Sequence, residues 1–81
     1  MENKQIQIKK KMEQTVNLQT HQQRVVEEYK ELKDKTTKLR AFILDNPIYL
    51  SLDKVEQEDM QKQYDAMCIY CDALESRIKR F

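Results

Sequence analysis

Residues 25–43 read VVEEYKELKDKTTKLRAFI, and residues 60–81 read MQKQYDAMCIYCDALESRIKRF. The first stretch places Val25, Tyr29, Leu32, Thr36, Leu39 and Ile43 at alternating steps of four and three. The second does the same with Met60, Tyr64, Met67, Cys71, Leu74, Ile78 and Phe81. Such spacing holds one seam on one side of a helix. Laid antiparallel, the two seams pair Val25 with Ile78, Tyr29 with Leu74, Leu32 with Cys71, Thr36 with Met67, Leu39 with Tyr64 and Ile43 with Met60. The sequence therefore predicts an all-α fold: an antiparallel two-helix hairpin, coiled-coil-like, with helices over about 21–45 and 54–80.

The punctuation agrees with this layout. Thr20 and Gln23 have the spacing of a capping box at the start of the first helix. Asn46-Pro47 stops that helix, because the residue before a proline is pushed out of the α region. Asp53 and Glu56 repeat the capping pattern before the second helix. Between them Ile48, Tyr49, Leu50 and Leu52 make an apolar connector, expected to fold over the end of the seam. The domain organisation follows: residues 1–20 form a basic lead or N-terminal arm, and residues 21–81 form the hairpin domain. In the lead, Lys9, Lys10 and Lys11 form a cationic run among loosely spaced apolar residues. Two readings stay open for it: a solvated terminus, or an amphipathic helical arm that docks on the hairpin or on a neighbouring subunit.

Composition narrows the function classes. The chain has 81 residues, no Gly, one Pro, and 36% charged residues that nearly cancel to +1. Long helices with solvated faces suit such a composition, and a sheet does not. The balanced charge gives no expectation of duplex nucleic-acid binding. No apolar run reaches the ~20 residues that cross a bilayer. The sequence thus predicts no membrane partner and a place in the cytoplasm, with both cysteines as thiols.

The hairpin alone buries one seam, and domains of this size are marginally stable without help. Ala66, Ile69, Tyr70 and Ala73 form a second stripe on helix two that the hairpin partner cannot cover. These four are the expected oligomer interface of a self-associating helical bundle, a homo-oligomer.

The sequence offers no catalytic constellation, and neither a metal nor a cofactor is expected. Gly-rich phosphate loops, zinc-binding helices and nucleophile elbows do not occur. Cys68 and Cys71 make a Cys-x-x-Cys inside a helix, far from the sole histidine, His21, so both read as packing residues. Glu31–Lys35, Asp34–Lys38, Glu58–Lys62 and Glu75–Lys79 are acid-then-base pairs on solvated faces, each contributing only ~0.2–0.5 kcal/mol.

Antiparallel pairing gathers His21, Arg24, Arg77, Lys79 and Arg80 at the open pole. The loop pole instead carries Asp45, Asp53, Glu56, Glu58 and Asp59. Helix-dipole electrostatics accounts for the bases at the end of helix two. It does not account for His21 and Arg24 at the start of helix one, where cations beside free N–H groups suit an anion such as a phosphate.

Several segments also resemble known phage proteins. The run His-Gln-Gln-Arg-Val-Val-Glu-Glu at 21–28, Lys-Leu-Arg-Ala-Phe-Ile at 38–43, Gln-Tyr-Asp-Ala-Met at 63–67, and Tyr70, Leu74, Arg77, Ile78 and Phe81 resemble small phage-encoded hairpin proteins, the crAss-phage-related family. The likeness covers residues 21–81. More distantly, the two-helix layout, the Ala66-Met67 segment and Arg77 are similar to phage sponges of the anti-CBASS and anti-Thoeris kind. That resemblance implies a homo-oligomer that sequesters a cyclic oligonucleotide between subunits. Carried onto this chain, it implies Arg24, Lys35 and Arg77 at phosphates and His21 or Tyr29 at bases. The rival expectation is a protein–protein module that grips a host defence protein through the second stripe, and a third is a ligand-free structural adaptor.

Overall fold

The computed structural model describes residues 19–81. The basic lead, with its lysine run, lies outside the described residues apart from Gln19 and Thr20. Among the described residues three helices follow one another: α1 (Thr20–Asp45), α2 (Pro47–Ser51) and α3 (Lys54–Lys79). The long helices have 26 residues each, about 39 Å at ~1.5 Å per residue. They pack against each other as an antiparallel hairpin, with α2 as the connector.

The first cap falls one residue earlier than Thr20. Gln19 is the N-cap, and its backbone N–H donates to Gln22 Oε1 at 3.0 Å. Starting there gains a further helical bond, Gln23 N–H to the Gln19 carbonyl at 2.9 Å. The same reciprocal spacing is simply met by Gln19 and Gln22 instead of Thr20 and Gln23. At the other end Asn46 turns extended (φ −90°, ψ 120°) before Pro47. Its Oδ1 accepts the Ile48 N–H at 2.9 Å, so one residue closes α1 and caps α2. Asp53 then caps α3, accepting the Glu56 N–H at 2.9 Å.

The connector is clipped to α3 through one side chain. Gln57 Nε2 donates to the carbonyls of Tyr49 (2.8 Å) and Leu52 (3.2 Å). The Tyr49 hydroxyl returns a long bond to the Gln57 carbonyl at 3.4 Å. The Tyr49 ring meets Phe42 edge-on, with centroids 6.4 Å apart. Tyr49 and Leu52 are half-buried by this arrangement. Ile48 and Leu50 are not: Leu50 is 79% exposed. The connector therefore half-buries two of its four apolar side chains, because a helical turn cannot aim all four to one side.

The core comprises Val25, Val26, Tyr29 and Leu32 from α1 and Cys71, Leu74 and Ile78 from α3, with Met67 and Phe81 packed against it. All seven buried residues lie in the half near the open pole. Toward the loop Leu39, Ile43, Met60 and Tyr64 are only half-buried. Val26 is fully buried although it stands off the four-three seam. It widens the apolar stripe of α1 in the manner of an ordinary globular helix. The rungs also interleave. Tyr29 reaches Glu75, one residue beyond Leu74, and Thr36 Oγ1 lies 3.6 Å from Cys71 Sγ, one turn beyond Met67. Thr36 gives its own proton to the Leu32 carbonyl at 2.7 Å, which satisfies the hydroxyl inside the seam.

Candidate functional site

Two flanks border the seam, and each is a row of residues seven apart. On one, His21, Glu28, Lys35 and Phe42 of α1 run against Gln63, Tyr70 and Arg77 of α3. On the other, Val26, Lys33 and Arg40 run against Gln61, Cys68 and Glu75. Their chemistry differs.

The first flank holds most of the sequence-expected ligand residues. His21, Arg24 and Arg77 are exposed and stand at the open pole, where α1 begins and α3 ends. The first turn of α1 contains no acid. Lys35 is exposed on the same flank, but eleven residues past Arg24, about 16 Å farther along the axis at ~1.5 Å per residue. Within one hairpin it is level with Tyr70, not with the pole.

Tyr29 belongs elsewhere. Its ring is in the core at 2% exposure, so it presents no open face to a base. Its hydroxyl donates to Glu75 Oε1 at 2.6 Å and accepts from Lys33 Nζ at 3.3 Å. The Lys33 ammonium also sits 5.6 Å from the ring centroid, a cation–π distance. Burial, then the bond to the Glu75 carboxylate, holds the phenol well above its ordinary pKa. A base contact by His21 or Tyr29 was what the resemblance to phage sponges implied. The heptad that makes Tyr29 a seam residue is what removes it from solvent.

The second flank was not singled out by its sequence. Arg40 and Tyr64 stand across the seam from one another, and a hollow opens on either side of them. One, of about 230 Å³, adds Ile43, Leu44 and Gln61. The other, of about 240 Å³, adds Lys33, Thr36, Thr37, Cys68 and Asp72 with the Tyr29–Glu75 pair at its end. The neighbouring Cys68 thiol, with burial adding to it, raises the pKa of the Tyr64 phenol. The signal available beforehand was the seven-residue spacing of Lys33 with Arg40 and of Gln61 with Cys68 and Glu75.

The expected self-association stripe is open to solvent. Ala66, Ile69, Tyr70 and Ala73 are all exposed, Ile69 at 71% and Tyr70 at 43%. Of the four expected ion pairs, Asp34–Lys38 closes at 2.9 Å. Among the described residues, no group of three or more His, Cys, Asp or Glu side chains is placed to hold a metal ion. Also among the described residues, no helix is long and apolar enough to cross a membrane.

The family model for Sequestin matches residues 19–80, the whole hairpin. The chain belongs to the Sequestin family. It is also similar to a protein of Enterobacteria phage T4, described as an uncharacterized 7.5 kDa protein of the denB–rIIB intergenic region. The two are 39% identical over 61 residues, which is 75% of this chain and 94% of the phage protein. No solved structure matches. The Sequestin match takes in both flanks, both poles and the exposed stripe.

Proposed function

We propose that this chain is a non-catalytic phage counter-defence protein that sequesters a cyclic nucleotide immune signal between subunits. The observation that carries the reading is the Sequestin match across the entire hairpin, since the family's name denotes sequestration. The similarity to a phage T4 protein is consistent with a role inside an infected host. The ligand class rests on the open pole. His21, Arg24 and Arg77 are exposed at the start of one helix and the end of the other, and two of them are guanidinium cations. A second copy brings a further set, and Lys35 of a neighbouring copy supplies the charge that one pole lacks. Arg24 and Arg77 offer planar forks to phosphates, and His21 offers a ring to a base. Binding is stoichiometric and denies the signal to the host effector.

Isothermal titration against a panel of cyclic di- and trinucleotides tests this. Arg24→Ala weakens binding by ~1.5–3 kcal/mol, the range for hydrogen bonds to charged groups, and leaves the fold intact. Arg24→Lys recovers part of the loss, because an ammonium cannot copy the fork. No heat from any member of the panel overturns the reading.

One observation favours a second reading. Ile69 and Tyr70 are large, apolar and exposed beside Ala66 and Ala73. This stripe is the surface through which the hairpin self-associates, or, in the protein–protein reading, grips a helix of a host defence protein.

A further inference from the structure

Arg40 and Tyr64 line both hollows of the second flank, so the two hollows are one groove with this pair at its waist. One half is walled by Ile43 and Leu44 together with Gln61, and Leu44 is 63% exposed. The other has Thr37 and Lys33 on the same wall as Arg40, with Cys68, Asp72 and Glu75 from the second long helix. Arg40 has no acid three or four residues away on its own helix, where Thr36, Thr37, Ile43 and Leu44 stand. Across the seam, Asp65 takes the Gln61 amide at 3.1 Å. Asp72 and Glu75 line the same half as Lys33, and Glu75 accepts from Tyr29. Among the described residues no carboxylate lies within ion-pair distance of Arg40, and the Thr37 hydroxyl stands one turn before it. The half-buried Tyr64 ring is the wall that the two hollows share.

A slot walled by two aliphatic side chains and an aromatic ring, next to a guanidinium and a hydroxyl, has the chemistry for a planar ring that carries a phosphate. We propose that this groove binds a phosphorylated aromatic ligand of mononucleotide size within a single hairpin, its ring against Tyr64 and Leu44 and its phosphate on Arg40 and Thr37. The site lies on the opposite flank from His21, Lys35 and Arg77 and needs no second copy. It takes its ligand from its own lining and does not rest on the cyclic-nucleotide reading.

Adenosine 5′-monophosphate is the probe, titrated into the full chain and followed by amide NMR shifts. Shifts centred on Thr37, Arg40, Leu44 and Tyr64 are expected. Arg40→Ala and Tyr64→Leu each weaken binding about tenfold or more, a loss of at least ~1.4 kcal/mol. Lys30→Ala, on an exposed face outside both sites, leaves it unchanged, and thermal melts establish that each variant is folded. Adenosine and inorganic phosphate, offered separately, bind at least tenfold more weakly than the joined molecule. Shifts confined to the His21–Arg24–Arg77 pole, unaltered affinity in Arg40→Ala, or no shifts at all overturn the proposal. The two readings fail separately. Cyclic dinucleotide binding without monophosphate binding removes the groove and keeps the sponge, and the reverse result keeps the groove alone.

Discussion

The Tyr29 hydroxyl on α1 donates a 2.6 Å hydrogen bond to the Glu75 carboxylate on α3, 46 residues away along the chain. It is a charge-assisted tie beside a buried cluster, and Lys33 covers its outer side at 3.3 Å. Apolar seams tolerate sliding by a turn, because Leu packs on Leu wherever it lands. A directional bond does not, so this pair helps to set the register of the hairpin.

The tie makes stability fall in alkali. Burial and Glu75 raise the Tyr29 pKa in the folded state above its ordinary value of 10.0. The stabilisation is fully present below that value and is lost as pH climbs above it, through the higher folded pKa. Tyr29→Phe is expected to cost ~0.5–1.5 kcal/mol at neutral pH, from the lost hydrogen bond. It also flattens the decline in stability above pH ~10. Urea melts of both proteins across neutral and alkaline pH check this, and parallel declines contradict it.

Truncations along the seam are graded, not uniform. Leu74 is 2% exposed, whereas Leu39 is half-buried. Leu74→Ala is expected to cost ~2–5 kcal/mol, most of the stability of so small a domain. Leu39→Ala costs clearly less, since solvent reaches its site. Equal melting temperatures for the two variants count against the uneven core.

Gln57→Ala loosens the connector. The amide satisfies two carbonyls at once, and losing it leaves both to water, a cost of ~1–2 kcal/mol. Amide hydrogen exchange reads the effect directly. Faster exchange at Leu52 and Tyr49, with α1 near Val26 unchanged, is the expected pattern.

Ile69→Glu tests assembly. A carboxylate in an apolar contact between copies is strongly unfavourable, so the variant is expected to sediment as a monomer while the parent does not. A parent that is itself monomeric at high protein concentration removes the stripe as a self-contact.

The seam was readable because a four-three repeat has one geometric meaning, and Asn46-Pro47 and Asp53 mark its ends unambiguously. What escaped lies just beside it. Val26 reads as an outlier when only the narrow seam is counted, yet it is among the most buried residues. Ile48 and Leu50 read as cover because they are apolar, but their direction is set by the Gln57 clip, which no periodicity announces. The Arg40–Tyr64 groove needs both helices in place before its lining exists. Tyr29 shows the opposite error: aromatic character suggested a contact for a ligand, and seam position put the ring out of reach.

The Gln57 clip closes loops of only eight and five residues, so forming it costs little chain entropy. It also brings little apolar surface together, because the buried residues all lie at the far end of the hairpin. Early closure and late reward are thus separated along the molecule. A chain shortened by the turns that carry Val25, Val26 and Ile78 is therefore expected to lose much of its core while keeping the Gln57 clip.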